Sequence, residues 1–412
     1  MEPKTEPKDD PISWDATGPA SWNRDSAPPR FAFRTLPSPD RSNCPAAYNS
    51  EAGANRSAAR DTANPVKAKG KTLMNRIIPQ VTADWRMVLS AFLVLSITTI
   101  VAHAESCKTA DDMDAATHAA IASAGQRYFD MAGSGDLAGL RQNAIPSVVS
   151  NFSGIEAAVT SHKSEIAGSH GTLRPPFLLD TEGASSIAHA EFLCGVFNQH
   201  GQTANSAVFN LDNLPPGKYA VVILDASSAT PATVSFILQQ QGNDWKLGGL
   251  YIKAVQAAGH GADWFLSRAR DYKTKGQLHN AWLYYQQALL LISPLSFMKT
   301  AATDKLIDEF QPLQPADFPA DARIVDLAAG GATYKLTIVF PEAVGNDLDL
   351  IVKYQASDIS DTTRTYQSNL IVIKALVAKF PELKTAFVGV VARAVEPGGR
   401  DYGTLLAMKD VK

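Results

Sequence analysis

The sequence predicts an α+β protein assembled from several units, and three observations carry that prediction. Beyond residue 104, helix-favouring stretches (115–144) come first and strand-like runs (189–255) follow. That order places helices on one face of an antiparallel sheet. Small and aromatic residues then recur at helical spacing over 261–294, the mark of two packed helices. Finally, 322–412 reads as two strands, one amphipathic helix and two more strands. The expected architecture is a helix-on-bent-antiparallel-sheet domain over 111–255, an αα-hairpin over 261–310, a Pro-rich linker over 311–321 and a small ββαββ domain over 322–412.

The first 104 residues have a different character. Residues 1–73 are rich in Pro, Ser, Arg and Ala and show no sustained apolar period, so they cannot bury enough surface to offset the entropy of ordering. They read as a disordered tail. Alternatively they are an over-extended N-terminus, because Met74 opens Met-Asn-Arg-Ile-Ile as a signal peptide does. Residues 88–102 (VLSAFLVLSITTIVA) are an uncharged apolar run. Roughly 15 residues fall short of the ~20 that a spanning helix wants and fit a signal-peptide core. Arg76 and Arg86 precede the run against Asp84, and Ala102-His103-Ala104 supplies an A-x-A site that puts the cut between Ala104 and Glu105. Asp111, Asp112 and Asp114 follow against Lys108, a charge asymmetry that leaves the upstream side in the cytoplasm. The expectation is an exported protein, periplasmic or extracellular. The alternative is a single-pass membrane protein with its N-terminus in the cytoplasm, touching the membrane only through 88–102. Lipid attachment at Cys107 is disfavoured by the Glu105 carboxylate two residues before it.

The formal net charge is −3, and no basic stripe with interleaved aromatics appears, so nucleic acid is not an expected partner. Cys107 and Cys194 remain after the cut. In an oxidising compartment they would pair and tie the mature N-terminus to the first domain. Cys194 also lies in the apolar run 191–197, where a free thiol would pack equally well.

In the first domain the Ala-rich stretch 115–131 carries Ile121, Tyr128 and Met131 on neighbouring faces, and Gly133-Ser134-Gly135-Asp136 ends it. A second helical stretch follows at 137–144. Strands are expected at 189–198, 206–211, 218–225, 233–240 and 245–255, with turns at Pro215-Pro216-Gly217 and Gly242-Asn243-Asp244.

Arg127-Tyr128, Gly135-Asp136-Leu137 and Gly139-Leu140 are similar to the opening of the nuclear transport factor 2-like superfamily. Trp245-Lys246-Leu247-Gly248-Gly249-Leu250-Tyr251 resembles that superfamily's last strand. Over 111–255 the resemblance implies a cone with an apolar pocket, for which Tyr128, Trp245 and Tyr251 are the candidate lining residues. It also implies that Tyr128 lies where ketosteroid isomerase keeps an oxyanion-stabilising tyrosine. The partner base is missing, since 143–156 (NAIPSVVSNFSGIE) has no acid before Glu156, and proton abstraction needs a base within about 3 Å. Tyr128 therefore reads as a core aromatic.

Phe265, Ala269, Tyr272, Gly276, Ala281, Tyr285 and Ala288 resemble one tetratricopeptide repeat, with Pro294 one residue late. Small Ala269 and Ala281 let two helices approach, and a single repeat suits a packing bridge better than a recognition array. In the C-terminal unit, strands are expected at 333–340, 347–355, 387–395 and 402–408. Asp361 is placed to cap a helix in which Tyr366, Leu370, Ile373, Val377 and Phe380 recur, with Pro381 at its end.

No HExxH, paired CxxC, G-x-S-x-G, Walker loop or GxGxxG occurs. His162, His170, His189 and His200 lack a spaced acid or Cys and read as solvated, and the Asp358, Asp361, Arg364 cluster reads as helix capping. No metal or cofactor is expected. The functional expectation is a non-catalytic envelope protein that binds a small apolar ligand or a protein partner. Its alternatives are an enzyme using the 111–255 pocket and a membrane-anchored scaffold.

Overall fold

The computed structural model describes residues 105–412, apart from 182, 184, 185, 199, 200, 204, 205 and 320–322. The expected 1–73 tail, the expected 74–104 signal segment including Ala104, and His200 lie outside the described residues. The described chain is α+β.

Strand β1 (Glu105–Lys108) leads into helix α1 (Ala115–Ser134). Asp114 caps the helix by accepting from the Thr117 amide at 2.8 Å. Gly135, at φ 76°, ends it in the left-handed conformation that favours glycine. Ile121, Ala124, Tyr128, Phe129 and Ala132 are buried, the spacing of one helical face. Four short helices follow: α2 (Leu137–Gln142), α3 (Pro146–Val149), α4 (Ser153–Ser161) and α5 (Lys163–Ile166).

The strands are β2 (His170–Leu173), β3 (Phe177–Thr181), β4 (Ile187–Cys194), β5 (Ala207–Leu214), β6 (Gly217–Ser227), β7 (Ala232–Gln241) and β8 (Asp244–Ala254). The order β1-β3-β6-β7-β8 forms an antiparallel sheet in which β2 also pairs with β6. β6 is buried on both sides. Ala220, Val222 and Leu224 face the helices with Val234, Phe236 and Leu238. Tyr219, Val221 and Ile223 face a second, three-stranded sheet of β4, β5 and β9 (Met298–Thr300), where Phe192, Phe209, Leu211 and Phe297 fill the gap. The five expected strands are all present, but they divide between two sheets. β2 and β3 escape the sequence reading because each is short and Arg174-Pro175-Pro176 separates them.

Helix α1 rides close on β6 at Gly125. A Cβ there would fall 2.4 Å from Cγ1 of Val222, a side chain that is itself fully buried. Gly125→Val is therefore expected to destabilise by about 2–3 kcal/mol through overpacking, despite valine's better helix propensity. A urea midpoint equal to wild type would show that the contact can relax.

The helical hairpin comprises α6 (Ala262–Thr274) and α7 (Leu278–Ile292), followed by α8 (Ala301–Phe310). Ala269 and Ala281 are fully buried between them. Arg270 grips Glu309 with two hydrogen bonds of 2.7 Å, and the Tyr285 hydroxyl donates to the same carboxylate at 2.8 Å. The Arg270 hydrogen bond holds the Glu309 carboxyl down at about 2. Lys253 joins β8 to the end of α7, donating to the Leu290 and Ser293 carbonyls at 3.0 and 2.6 Å.

The C-terminal sheet runs β10-β11-β12-β13-β14: Val325–Ala329, Ala332–Val344, Asp347–Gln355, Gly389–Val395 and Asp401–Ala407. Only β12 and β13 are parallel, joined through α9 (Thr362–Lys379), which Asp361 caps by accepting from the Arg364 amide. β10 adds a strand ahead of the expected ββαββ order; Val-Asp-Leu-Ala-Ala is too short and Ala-rich to announce itself. One face of the sheet shares a continuous core with α9 and the hairpin, through Leu350, Val352, Val390, Val372, Leu376, Tyr284 and Phe265.

Candidate functional site

The three candidate pocket residues do not share one face of the sheet: Tyr128 and Trp245 belong to the core under the helices, Tyr251 to the core between the two sheets. Tyr128 is fully buried against Phe236, with ring centroids 6.0 Å apart. Its hydroxyl lies 2.8 Å from the Trp245 carbonyl and 3.0 Å from the Asn143 carbonyl, and donates its single hydrogen between them. Burial pushes its phenol above the ordinary range. That bond pins the segment at Asn143 beside the edge strand β8, where the Leu247 amide donates to Asn143 and the Ile145 amide to Leu247. Trp245 is buried in the same core.

Tyr251 belongs to the opposite face. Strict alternation would put Trp245, Leu247, Gly249 and Tyr251 on one side of β8. A bulge between Leu247 and Gly249 inserts Gly248, so after it Leu250 and Ile252 face the helices. Tyr251 then turns toward the second sheet and packs edge-on against Phe297 at 5.6 Å.

Cys107 and Cys194 are joined by a disulfide that links β1 to β4, with Cα atoms 5.0 Å apart. Glu105 reinforces the link by accepting from the Glu191 amide at 2.9 Å. Of the histidines read as solvated, His162 lies 3.7 Å from Glu165, and exposed His189 lies 2.7 Å from Asp212.

The concave surface with most chemistry lies on the hairpin. A groove of about 400 Å³ is lined by Trp264, Arg268, Tyr272, Lys275, Tyr284 and Thr385, among others. Its floor is fixed from the C-terminal unit, where the Tyr272 hydroxyl donates to the Thr385 carbonyl at 3.1 Å and Tyr284 to Ala386 at 2.7 Å. The two phenol rings meet edge-on at 5.0 Å. His260 stacks flat on Trp264 at 3.8 Å, and the Arg268 guanidinium lies 5.4 Å from the Trp264 ring. Lys275 approaches Tyr272 at 5.9 Å. Neither cation has a carboxylate within ion-pair distance among the described residues. Aromatic faces that carry cations are suited to holding planar or anionic groups of a partner. The sequence did hold a signal: 264, 268, 272 and 275 lie on one helical face, but Tyr272 reads first as hairpin packing.

His279 carries no sequence signal of its own. Its Nδ1 lies 2.6 Å from Glu382 and its Nε2 3.0 Å from Asp317, with the ring set against Phe318 and Phe380. Burial pushes the Asp317 carboxyl up, and the hydrogen bond and charge of His279 outweigh it and hold the group below its usual range. These partners are 38 and 103 residues away in sequence, so no local spacing could announce them. The cluster clamps α7, the linker and the segment after α9 together. No group of three or more potential metal ligands occurs among the described residues.

No protein-family model matches the chain, and comparison with curated proteins and with solved structures likewise yields no match.

Proposed function

We propose that the chain is an exported, non-catalytic envelope protein whose hairpin groove receives a polypeptide partner. In this reading the first domain is a cone of the nuclear transport factor 2 type with a packed interior, and the hairpin is a single tetratricopeptide-like unit. The observation that carries the proposal is the contrast between two places. The interior expected to take a small apolar ligand has Tyr128, Phe129 and Phe236 buried in it, whereas the Trp264 groove is open and lined by Arg268, Lys275 and Asp271, with no ion pair closer than 4 Å to either cation among the described residues. The Cys107–Cys194 disulfide supports export, because such bonds persist in oxidising compartments.

The test is photo-crosslinking in the native host from a probe at Lys275, with Trp264→Ala as the paired variant. A specific protein adduct is expected, and Trp264→Ala should weaken capture by about 30-fold, as loss of a buried aromatic anchor does. An adduct of equal yield in Trp264→Ala, with the fold intact by circular dichroism, would remove the groove from the function. Fractionation in the same strain should return a soluble product that begins at Glu105; a membrane-bound product retaining residues 88–102 would favour the anchored scaffold instead.

A further inference from the structure

The C-terminal sheet has a second face that joins none of the three cores. Ile338, Phe340, Ile351, Val391 and Leu405 lie there, outside the core against α9 and the hairpin. The strand register arranges this face in rows. Phe340, Ile351, Val391 and Leu405 sit directly opposite one another across β11, β12, β13 and β14, forming one apolar row. The row on one side contains Glu342 and Asp349, with Gly389 next. The row on the other side contains Lys353 and Arg393.

Three of the charges on this face have no close ion-pair partner within one copy among the described residues. Asp349 is only 4% exposed, and Glu342 and Lys353 are half-buried. None of the three has an ion-pair partner among the described residues, whereas Arg393 is taken by Asp401 at 2.6 Å. Burial pushes both carboxyls up and the Lys353 amine down. Like charges directly opposite on neighbouring strands are unfavourable; Lys353 and Arg393 pull Glu342 down, and Asp401 and Glu342 pull Lys353 up, but in each case burial outweighs the more distant opposite charges. Leu405, in the middle row, is 53% exposed.

We infer that two copies of the chain associate through this face, related by a two-fold axis that runs along the apolar row. Rotation about that axis lays apolar row on apolar row. It also sets the acidic row of each copy over the cationic row of the other, so Asp349 and Glu342 meet the partner copy's Lys353 side. Any other partner would have to reproduce this pattern, whereas a second copy carries it already, as an isologous contact requires. Four strands at ~4.8 Å spacing and about seven residues at ~3.3 Å give a face of roughly 20 by 23 Å. That is smaller than the ~800 Å² per partner of a standard interface, so the dimer is expected to be weak and concentration-dependent. The inference does not rest on the groove or on its partner.

Sedimentation equilibrium of the full chain, from low to high micromolar concentration, tests it. Wild type is expected to dimerise reversibly, and Leu405→Glu, at an exposed position the monomer tolerates, should abolish association. Glu342→Lys and Lys353→Glu should each raise the dimer dissociation constant about tenfold or more, because both symmetry-related contacts become repulsive. Mixing those two variants should give tighter association than either alone, since one of the two symmetry-related contacts in the mixed dimer is then wild type and in the other the introduced lysine meets the introduced glutamate. Mixing leaves each monomer unchanged, so the tighter association cannot reflect repaired folding. A wild type that stays monomeric throughout, association that survives Leu405→Glu, or a mixture no tighter than the single variants would each overturn the inference.

Discussion

Replacing both cysteines, Cys107→Ser with Cys194→Ser, is expected to lower the stability of the described body by about 4 kcal/mol. The bond spans 87 residues, and releasing a loop of that size restores roughly 4.6 kcal/mol of entropy to the unfolded chain in the loop-closure treatment. The folded state loses as well. β1 is four residues long and is held by pairing with β3, by the Glu105 contact to Glu191 and by Cys107 packing against the core between the two sheets, so without the covalent tie it should fray and expose the edge of β3. Cys194 is fully buried, and a serine there adds an unpaired hydroxyl to an apolar core. Urea unfolding of the double variant, compared with wild type under reducing and non-reducing conditions, provides the measurement. Wild type with reductant should shift toward the double variant. A midpoint that moves in neither case would mean the disulfide constrains nothing that the fold does not already hold.

What the sequence made legible was local. Asp361 caps a helix because it precedes an apolar helical period, and Gly135 ends α1 because its positive φ suits glycine. The small residues Ala269 and Ala281 mark the hairpin because close helix approach demands them at that spacing. The illegible features depend on what other segments do. Gly248 became a bulge only through the register of β8 on β7, and that one extra residue moved Tyr251 to the far face. His279 gained its carboxylates from the linker and from the segment after α9. The rows on the C-terminal sheet appear only once four strands are aligned, since Phe340, Ile351, Val391 and Leu405 share no spacing in sequence. The Trp264 groove was half legible: its helical face can be read, but its floor at Thr385 and Ala386 cannot.

Tyr128 separates the structural from the catalytic reading of the first domain. Tyr128→Ala is expected to cost about 4–5 kcal/mol, because it removes a fully buried ring from between α1 and β7 and opens a cavity. Tyr128→Phe keeps the ring and isolates the hydroxyl, whose loss leaves the Trp245 carbonyl with the longer 3.4 Å bond from Arg127, while the Asn143 carbonyl keeps the Leu247 amide. A hydrogen bond lost without stranding its acceptor costs ~0.5–1.5 kcal/mol, so a loss of about 1 kcal/mol is expected. Amide exchange should then rise first at Leu247 and Ile145, whose hydrogen bonds hold the Asn143 segment to β8. A catalytic tyrosine behaves differently, because removing its hydroxyl abolishes turnover while leaving, or even improving, stability. A Tyr128→Phe variant as stable as wild type would therefore contradict the structural assignment and return the hydroxyl to consideration as a functional group. A variant that loosens the Asn143 segment while Trp264-dependent capture persists would place Tyr128 in the support and the function on the hairpin.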